Sequence, residues 1–359
     1  MENVLIAGAG LSGLTAAYYL KKAGIDVLIL EARERCGGRI LTVNAEGNAT
    51  PVEMGATWFA AKHTYLVNLL KELQIAWYNQ YQKGIAVIES FPSEPPQLFE
   101  MPDTAEPSFR IAGGTSALIH SLIAYIGKDQ IIMDIAIANV AAQEHSIVIQ
   151  DKNGQSFKGT HVILAIPPSL LLTQKVEFVP ALPETCIHVM QSTHTWMGEA
   201  IKFAIEYQQP FWWQKGFSGT VFSHSGIAQE VYDHTNADET RFALKGFLSP
   251  DAIKLSRQER EALLVAQLKR LLGTEAGNFL SYTEKIWAED RYTYSNYTSY
   301  VTPHQNNGHP LFSQPLMQDR LYLAGAETSP HFGGYMDGAV YSGLSIANKI
   351  IDKIKQQQL

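Results

Sequence analysis

A glycine pattern near the start of the chain, Gly8-Ala9-Gly10-Leu11-Ser12-Gly13, lies between an apolar run at residues 3–7 and apolar residues at helical spacing over 14–23. A second apolar run comes next, at 26–30. Strand, turn, helix and strand in this order make a βαβ unit, which commits the chain to a parallel sheet because parallel strands need a crossover between them. Gly8 allows the tight turn, Gly10 lets a pyrophosphate approach the backbone, and Gly13 lets helix pack on strand. The helix start adds free N–H groups and the positive end of a dipole, both suited to phosphate. Glu31 ends the second run at the distance where a carboxylate meets ribose hydroxyls. These residues predict a dinucleotide site.

The residues just after Glu31 narrow the choice of dinucleotide. Ala32, Arg33, Arg35, Gly37, Gly38 and Arg39 continue directly, and paired glycines between arginines bring backbone and guanidinium groups to a second phosphate or an extended ribityl chain. A nicotinamide site needs nothing of this kind, so a flavin is expected. Near the other end, Gly333 and Gly334 precede Tyr335 and Met336 at a predicted helix start, where N–H groups can polarise a reduced flavin.

Composition sets the remaining bounds. With 359 residues, 46% of them hydrophobic, the chain is long enough for two packed units. A net charge of -7 without long runs of one sign argues against a nucleic-acid partner. Cys36 and Cys186 make no disulfide framework, residues 1–7 run into a strand pattern without a signal-peptide signature, and no stretch reaches the ~18 apolar residues of a spanning helix. A cytoplasmic location without a membrane anchor is expected.

Along the chain, a helix is predicted at 64–73. A loop is expected over 74–100, where periodicity is lost around Phe91-Pro92-Ser93-Glu94-Pro95-Pro96, and a second helix starts near Gly114-Thr115-Ser116. Strands are predicted at 131–140, 146–150 and 161–165, with the turn Asp151-Lys152-Asn153-Gly154 between the last two. Residues 199–207 alternate, with Ile201, Phe203 and Ile205 on one face and Lys202, Ala204 and Glu206 on the other. Further strands fall at 220–223, 241–248 and 280–287. Ser256 and Glu259 have capping-box spacing ahead of Leu263, Leu264, Leu268, Leu271 and Leu272, with Gly273 closing the helix. This middle part reads as an antiparallel sheet with a helix. A strand at 322–324 and a helix at 338–351 return the chain to the nucleotide unit.

Together with Glu53-Met54-Gly55-Ala56-Thr57-Trp58, Ile111-Ala112-Gly113-Gly114, Val162-Ile163-Leu164-Ala165-Ile166-Pro167-Pro168 and the segments 287–300 and 323–343, the motifs resemble those of the flavin-dependent amine oxidase family. That family includes the monoamine and polyamine oxidases. The resemblance runs in order over nearly the whole chain. It implies an α/β fold with an FAD-binding Rossmann-like domain of the glutathione-reductase type at 1–76, 110–190 and 290–359. It also implies a second, α+β substrate domain on an antiparallel sheet at 77–109 and 191–289. By the same resemblance, FAD is held by Gly8, Gly10, Gly13, Glu31, Ala32, Arg33, Gly38, Arg39, Gly55, Ala56, Thr57, Ile137, Trp287, Gly325, Ala326, Glu327, Gly334 and Met336.

The resemblance further implies that Lys202 reaches flavin N5 through water and that Tyr297 and Tyr335 flank the substrate nitrogen, with Trp58 lining the substrate. Aromatic faces accept an amine and exclude water, and a dry pocket frees the nitrogen lone pair that hydride departure requires. The implied activity is oxidation of a small-molecule amine by hydride transfer to N5. The product is an imine and then a carbonyl compound, with molecular oxygen returned as hydrogen peroxide. Asn296 stands where monoamine oxidases have the cysteine that bonds the flavin, so FAD is expected to be non-covalent. The segment 74–113 is shorter than the insertion that roofs the cavity of larger relatives. Two other readings stay open: a desaturase or isomerase acting on a carbon skeleton, and a flavin-bearing binding protein without turnover. His304 and His309 have no partners at ligand spacing, and no metal is expected.

Overall fold

A computed structural model describes residues 3–44, 50–91, 93–101, 106–294, 296–297 and 300–357. Pro92 of the expected loop, Ser295, Thr298 and Ser299 of the 287–300 segment, and Gln358 of the tail lie outside the described residues.

The βαβ unit forms as the glycines require. Asn3–Ala7 is the middle strand of a five-stranded parallel sheet, flanked by His161–Leu164 and then Leu321–Leu323 on one side, and by Asp26–Leu30 and then Ile131–Ile132 on the other. Because successive strand side chains point to opposite faces, the apolar run divides between two cores. Val4 and Ile6 pack with the helices Leu11–Lys22, Ser116–Ile126 and Met336–Gln357, whereas Leu5 and Ala7 pack under a four-stranded sheet. That second sheet has the order Ser156–Gly159, Ile147–Asp151, Ile137–Ala142 and Glu177–Val179.

Three expectations change here. The run over 131–140 is two strands: Asp134 takes a φ of +59° between them, so Ile131–Ile132 joins the parallel sheet and Ile137–Ala142 the other. The turn at 151–154 leads into Ser156–Gly159, which precedes the strand His161–Leu164. The 74–100 segment holds three strands, Trp77–Asn79, Ile85–Glu89 and Gln97–Glu100. Ile85–Glu89 pairs antiparallel with Gln97–Glu100 across the Pro-rich stretch and in parallel with Phe217–Ser223, far along the chain, while Trp77–Asn79 pairs with Phe109–Ile111.

A seven-stranded sheet has the order Phe279–Ile286, Ile201–Tyr207, Phe242–Leu248, Ala228–Asp233, Phe217–Ser223, Ile85–Glu89 and Gln97–Glu100. The expected capping box is present: the Ser256 hydroxyl accepts from the Glu259 N–H, and the Glu259 carboxylate accepts from the Ser256 N–H at 2.8 Å. It starts the helix Arg257–Leu272, whose Leu264, Leu268 and Leu271 pack on Ile201, Phe203 and Ile205. The opposite face of the strand, carrying Lys202, Ala204 and Glu206, is buried as well, and Ala204 packs with Ala243, Val52 and Met54. Both faces of the strand Ile201–Tyr207 are therefore covered. Among the described residues no helix is long and apolar enough to cross a membrane.

Candidate active site

The glycine turn leaves room at one position only. A Cβ on Gly8, whose φ is +107°, would lie 2.5 Å from Ala165 O, and one on Gly13 would lie 2.1 Å from Gly8 O. Both glycines are closed in by the protein's own backbone. A Cβ on Gly10 would meet nothing within 4 Å. Beside this opening, the Ser12 hydroxyl is buried without a hydrogen-bond partner, a donor suited to an incoming phosphate oxygen. Glu31 is buried and accepts from the N–H of Ala9 at 2.7 Å and of Arg33 at 3.0 Å. These features fit the phosphate and ribose end of a dinucleotide.

A cavity of about 1210 Å³, open mouth included, runs from this turn to the start of the last helix. Of the expected cofactor residues, Gly8, Gly10, Glu31, Ala32, Arg33, Gly38, Arg39, Ala56, Ile137, Gly325, Ala326, Glu327, Gly334 and Met336 line it, and Tyr335 lines it too. Gly13, Gly55, Thr57 and Trp287 are not in the lining. Gly55 is packed against Arg39 O, the Thr57 hydroxyl donates to Gly55 O at 3.1 Å, and Trp287 Nε1 donates to Met54 O at 2.7 Å. The last three hold the 54–57 segment in place from behind.

The arginines divide their work. Arg39 forms a two-pronged ion pair with the fully buried Glu327, at 2.5 and 2.8 Å, and donates to Trp196 O at 3.0 Å. Arg33 reaches Asp290 at 2.6 Å and the Thr293 hydroxyl at 2.7 Å, tying the turn after Glu31 to the chain beyond the seven-stranded sheet. Arg35 does not face the cavity: its guanidinium donates to the carbonyls of Cys36, Gly38 and Ile40 and braces its own loop.

Lys202 is 1% exposed, and Nζ donates to Gly55 O at 2.5 Å. Burial lowers its pKa to about 8, against the opposing pull of Glu53. Tyr297 and Tyr335, expected to flank the substrate nitrogen, are each held by a histidine ring. Tyr335 lines the cavity and stacks on His304, with ring centroids 5.5 Å apart and planes within 8°, while Tyr297 stacks on His194 and its hydroxyl accepts from the Thr195 N–H at 2.6 Å. His194 and His304, 6.4 Å apart, link the two tyrosines. The glycine pair admits the imidazole: a Cβ on Gly334 would lie 3.1 Å from His304 Nδ1. Trp58 is half-buried, donates to Gln80 at 2.8 Å and packs edge-on against Tyr232.

Four residues at this end have no motif of their own: Trp196 in the cavity wall, His194, His304 and Lys245. Lys245 is fully buried, donates to the Thr57 hydroxyl and lies 4.4 Å from the Trp58 ring centroid. Its strand position, two residues before Phe247, was the available signal, but what it meets depends on sheet register.

The profile described as flavin containing amine oxidoreductase matches residues 11–87 and 88–351. The chain belongs to this family. It is 26% identical to the probable flavin-containing monoamine oxidase A of Dictyostelium discoideum, with 100% of this chain and 99% of the relative covered. It is 25% identical to the human flavin-containing amine oxidase B, with 97% and 86% covered. The alignment with the Dictyostelium relative spans 465 positions, more than the 359 residues of this chain, so that relative carries insertions absent here. In fold the chain is similar to putrescine oxidase bound to putrescine, with a TM-score of 0.84, 24% identity and 98% and 99% covered. It is also similar to the cyclohexylamine oxidase of Brevibacterium oxydans, with a TM-score of 0.86, 19% identity and 99% of both chains covered. The protein is thus a flavin-containing amine oxidase with FAD as its cofactor.

Proposed function

We propose that this flavin-containing amine oxidase holds FAD without a covalent bond and oxidises a primary or secondary amine bound neutral between Tyr297 and Tyr335, with Trp58 lining the substrate, using oxygen as acceptor. When bound, FAD supplies the hydride acceptor and passes two electrons to oxygen to give hydrogen peroxide; water then converts the imine product to a carbonyl compound. The chain's own part is to bind, orient and exclude water. Gly10, Ser12 and Glu31 offer an opening, a donor and an acceptor at the phosphate and ribose end. At the other end, the helix Met336–Gln357 directs its N-terminal N–H groups toward the cavity. Lys202, anchored on Gly55 O next to the cavity-lining Ala56, supplies an amine that can hold a water and a proton in a dry setting.

The division into an FAD-binding domain (1–76, 110–190 and 290–359) and a substrate domain (77–109 and 191–289) belongs to the same proposal, as does a cytoplasmic site of action. The separate parallel and seven-stranded sheets support the division. Non-covalent binding rests on Asn296 in the register of the bonding cysteine. The observation that carries the reading is one cavity lined at one end by Gly10 and Glu31 and at the other by Tyr335 and Met336.

The test is anaerobic mixing of the purified yellow protein with a panel of amines, and then admission of oxygen. Loss of the oxidised flavin absorbance, then its return with release of peroxide, is expected. No bleaching with any amine would remove the proposed reaction, and flavin left on acid-precipitated protein would remove the non-covalent assignment.

A further inference from the structure

Lys202 and Lys245 lie diagonally on neighbouring antiparallel strands. Lys202 is opposite Phe247 and Lys245 opposite Ala204, so both side chains rise from the same face of the sheet, and their amines come within hydrogen-bonding reach of each other. Neither is exposed by more than 1%. They grip the 55–57 segment on both sides of Ala56: Lys202 through Gly55 O, Lys245 through the Thr57 hydroxyl. Ala56 itself lines the cofactor cavity.

The donors and acceptors fit one protonation pattern. An ammonium at Lys202 donates to Gly55 O and to its neighbour, while a neutral amine at Lys245 accepts that bond on its lone pair and donates to Thr57. Two ammonium groups would leave each without an acceptor for the other and repel at close range in a dry site. The groups around the pair do not supply a second counter-charge. The Glu53 carboxylate, which also accepts from the Thr115 N–H at 2.6 Å and from the Thr42 hydroxyl, is a single acid pulling on both amines. His234 Nε2 accepts from the Glu53 N–H, Arg110 donates to Thr235 O, Lys285 leans to Asp290, and Glu230 is held by the Tyr232 hydroxyl.

We propose that Lys245 is a positioning residue for Lys202, and that the two amines form a unit holding a single shared proton behind the 55–57 wall of the cofactor cavity. It rests on the role assigned to Lys202 above. The unit gives or takes that one proton without either lysine leaving its anchor, and no other atom or electron is exchanged. Burial depresses both amines, Lys245 further because the charge on Lys202 opposes a second proton.

The test is a pH titration of the visible flavin absorbance of the resting holoprotein, without substrate, in the wild type, Lys202→Met, Lys245→Met and Lys245→Gln. The wild type is expected to show a transition near pH 8. Lys245→Met, which removes the acceptor for the Lys202 proton, should move it down by about one pH unit, and Lys245→Gln, which keeps a carbonyl acceptor, by less. Lys202→Met should abolish it. The unfolding midpoint in urea, measured over the same pH range, reads the same proton without relying on the flavin and should shift in parallel. An unchanged or raised transition in both Lys245 variants would overturn the shared proton. A wild-type transition that survives Lys202→Met would instead overturn the role of Lys202 itself.

Discussion

Along the lining of the cofactor cavity buried charge is paired, and behind its 55–57 wall it is not. Glu31 accepts two backbone N–H groups, and Glu327 receives both prongs of Arg39. Lys202 and Lys245 meet a carbonyl and a hydroxyl instead of a carboxylate. A buried charge with a matched partner is fixed in its ionised form and suits a scaffold that holds a permanently charged ligand. A buried amine without one stays close to neutrality and can exchange a proton. The two regions thus differ in what they can do with charge: the cavity lining fixes it, and the buried lysine pair is suited to exchange it.

The strongest way to break this contrast is at Arg39. Arg39→Ala leaves Glu327 charged and buried, which should cost about 3–5 kcal/mol in urea unfolding, with the partial exposure of Arg39 favouring the lower end. The double variant Arg39→Met with Glu327→Leu should recover most of that loss. Equal losses in both would mean the pair is not a unit. Gly13→Val comes next: its added carbons meet Gly8 O and force the helix off the strand, at about 1–3 kcal/mol, and the protein should purify without yellow colour. Full flavin content in that variant would show that the turn is not where phosphate binds.

Lys202 sharpens the other side. Its folded pKa of about 8 lies below the ordinary 10.5, so between those values the unfolded chain binds more protons, and stability should rise with pH across that window. Below about pH 8 the penalty is present in full. Lys202→Met should remove this rise, seen as the difference between variant and wild-type urea midpoints at pH 7.5 and 10 (chosen as roughly bracketing values). It should also slow reoxidation by oxygen about 10²-fold while leaving anaerobic reduction by amine less affected. A parallel pH dependence in both proteins would mean that Lys202 keeps its ordinary pKa in the fold. The smallest effect is expected at Tyr297→Phe, which deprives the Thr195 N–H of its acceptor at about 0.5–1.5 kcal/mol.

The same contrast governs what could be read from the sequence. Gly8, Gly10, Gly13 and Glu31 work through contacts inside one βαβ unit, so their spacing carries their geometry, and the family resemblance extends it to Arg39, Ala56 and Met336. Most of those residues line the cavity. The capping box at Ser256 and Glu259 was legible for the same reason. Lys245 was not, because it matters only through a register that places it diagonally from Lys202 and a fold that sets Thr57 against it. The strand Ile85–Glu89 was missed because one partner lies far along the chain and the other, Gln97–Glu100, follows a stretch rich in Pro and Ser. The surroundings of Tyr335 show the same limit: it lines the cavity and stacks on His304, admitted by the bare backbone of Gly334, a neighbour that no local motif indicated. Sequence reading finds residues whose partners are near in the chain, and misses those whose partners are near only in space.

The most direct measurement is a crystal structure of the protein loaded with FAD and soaked anaerobically with an amine that bleaches it. The account predicts the pyrophosphate at Gly10 and Ser12 and the flavin ring against Ala56 and Met336, with the amine beside Tyr335 and the two lysines on the far side of the 55–57 segment. A flavin ring placed away from Ala56, or an amine seated out of reach of Tyr335, would contradict it.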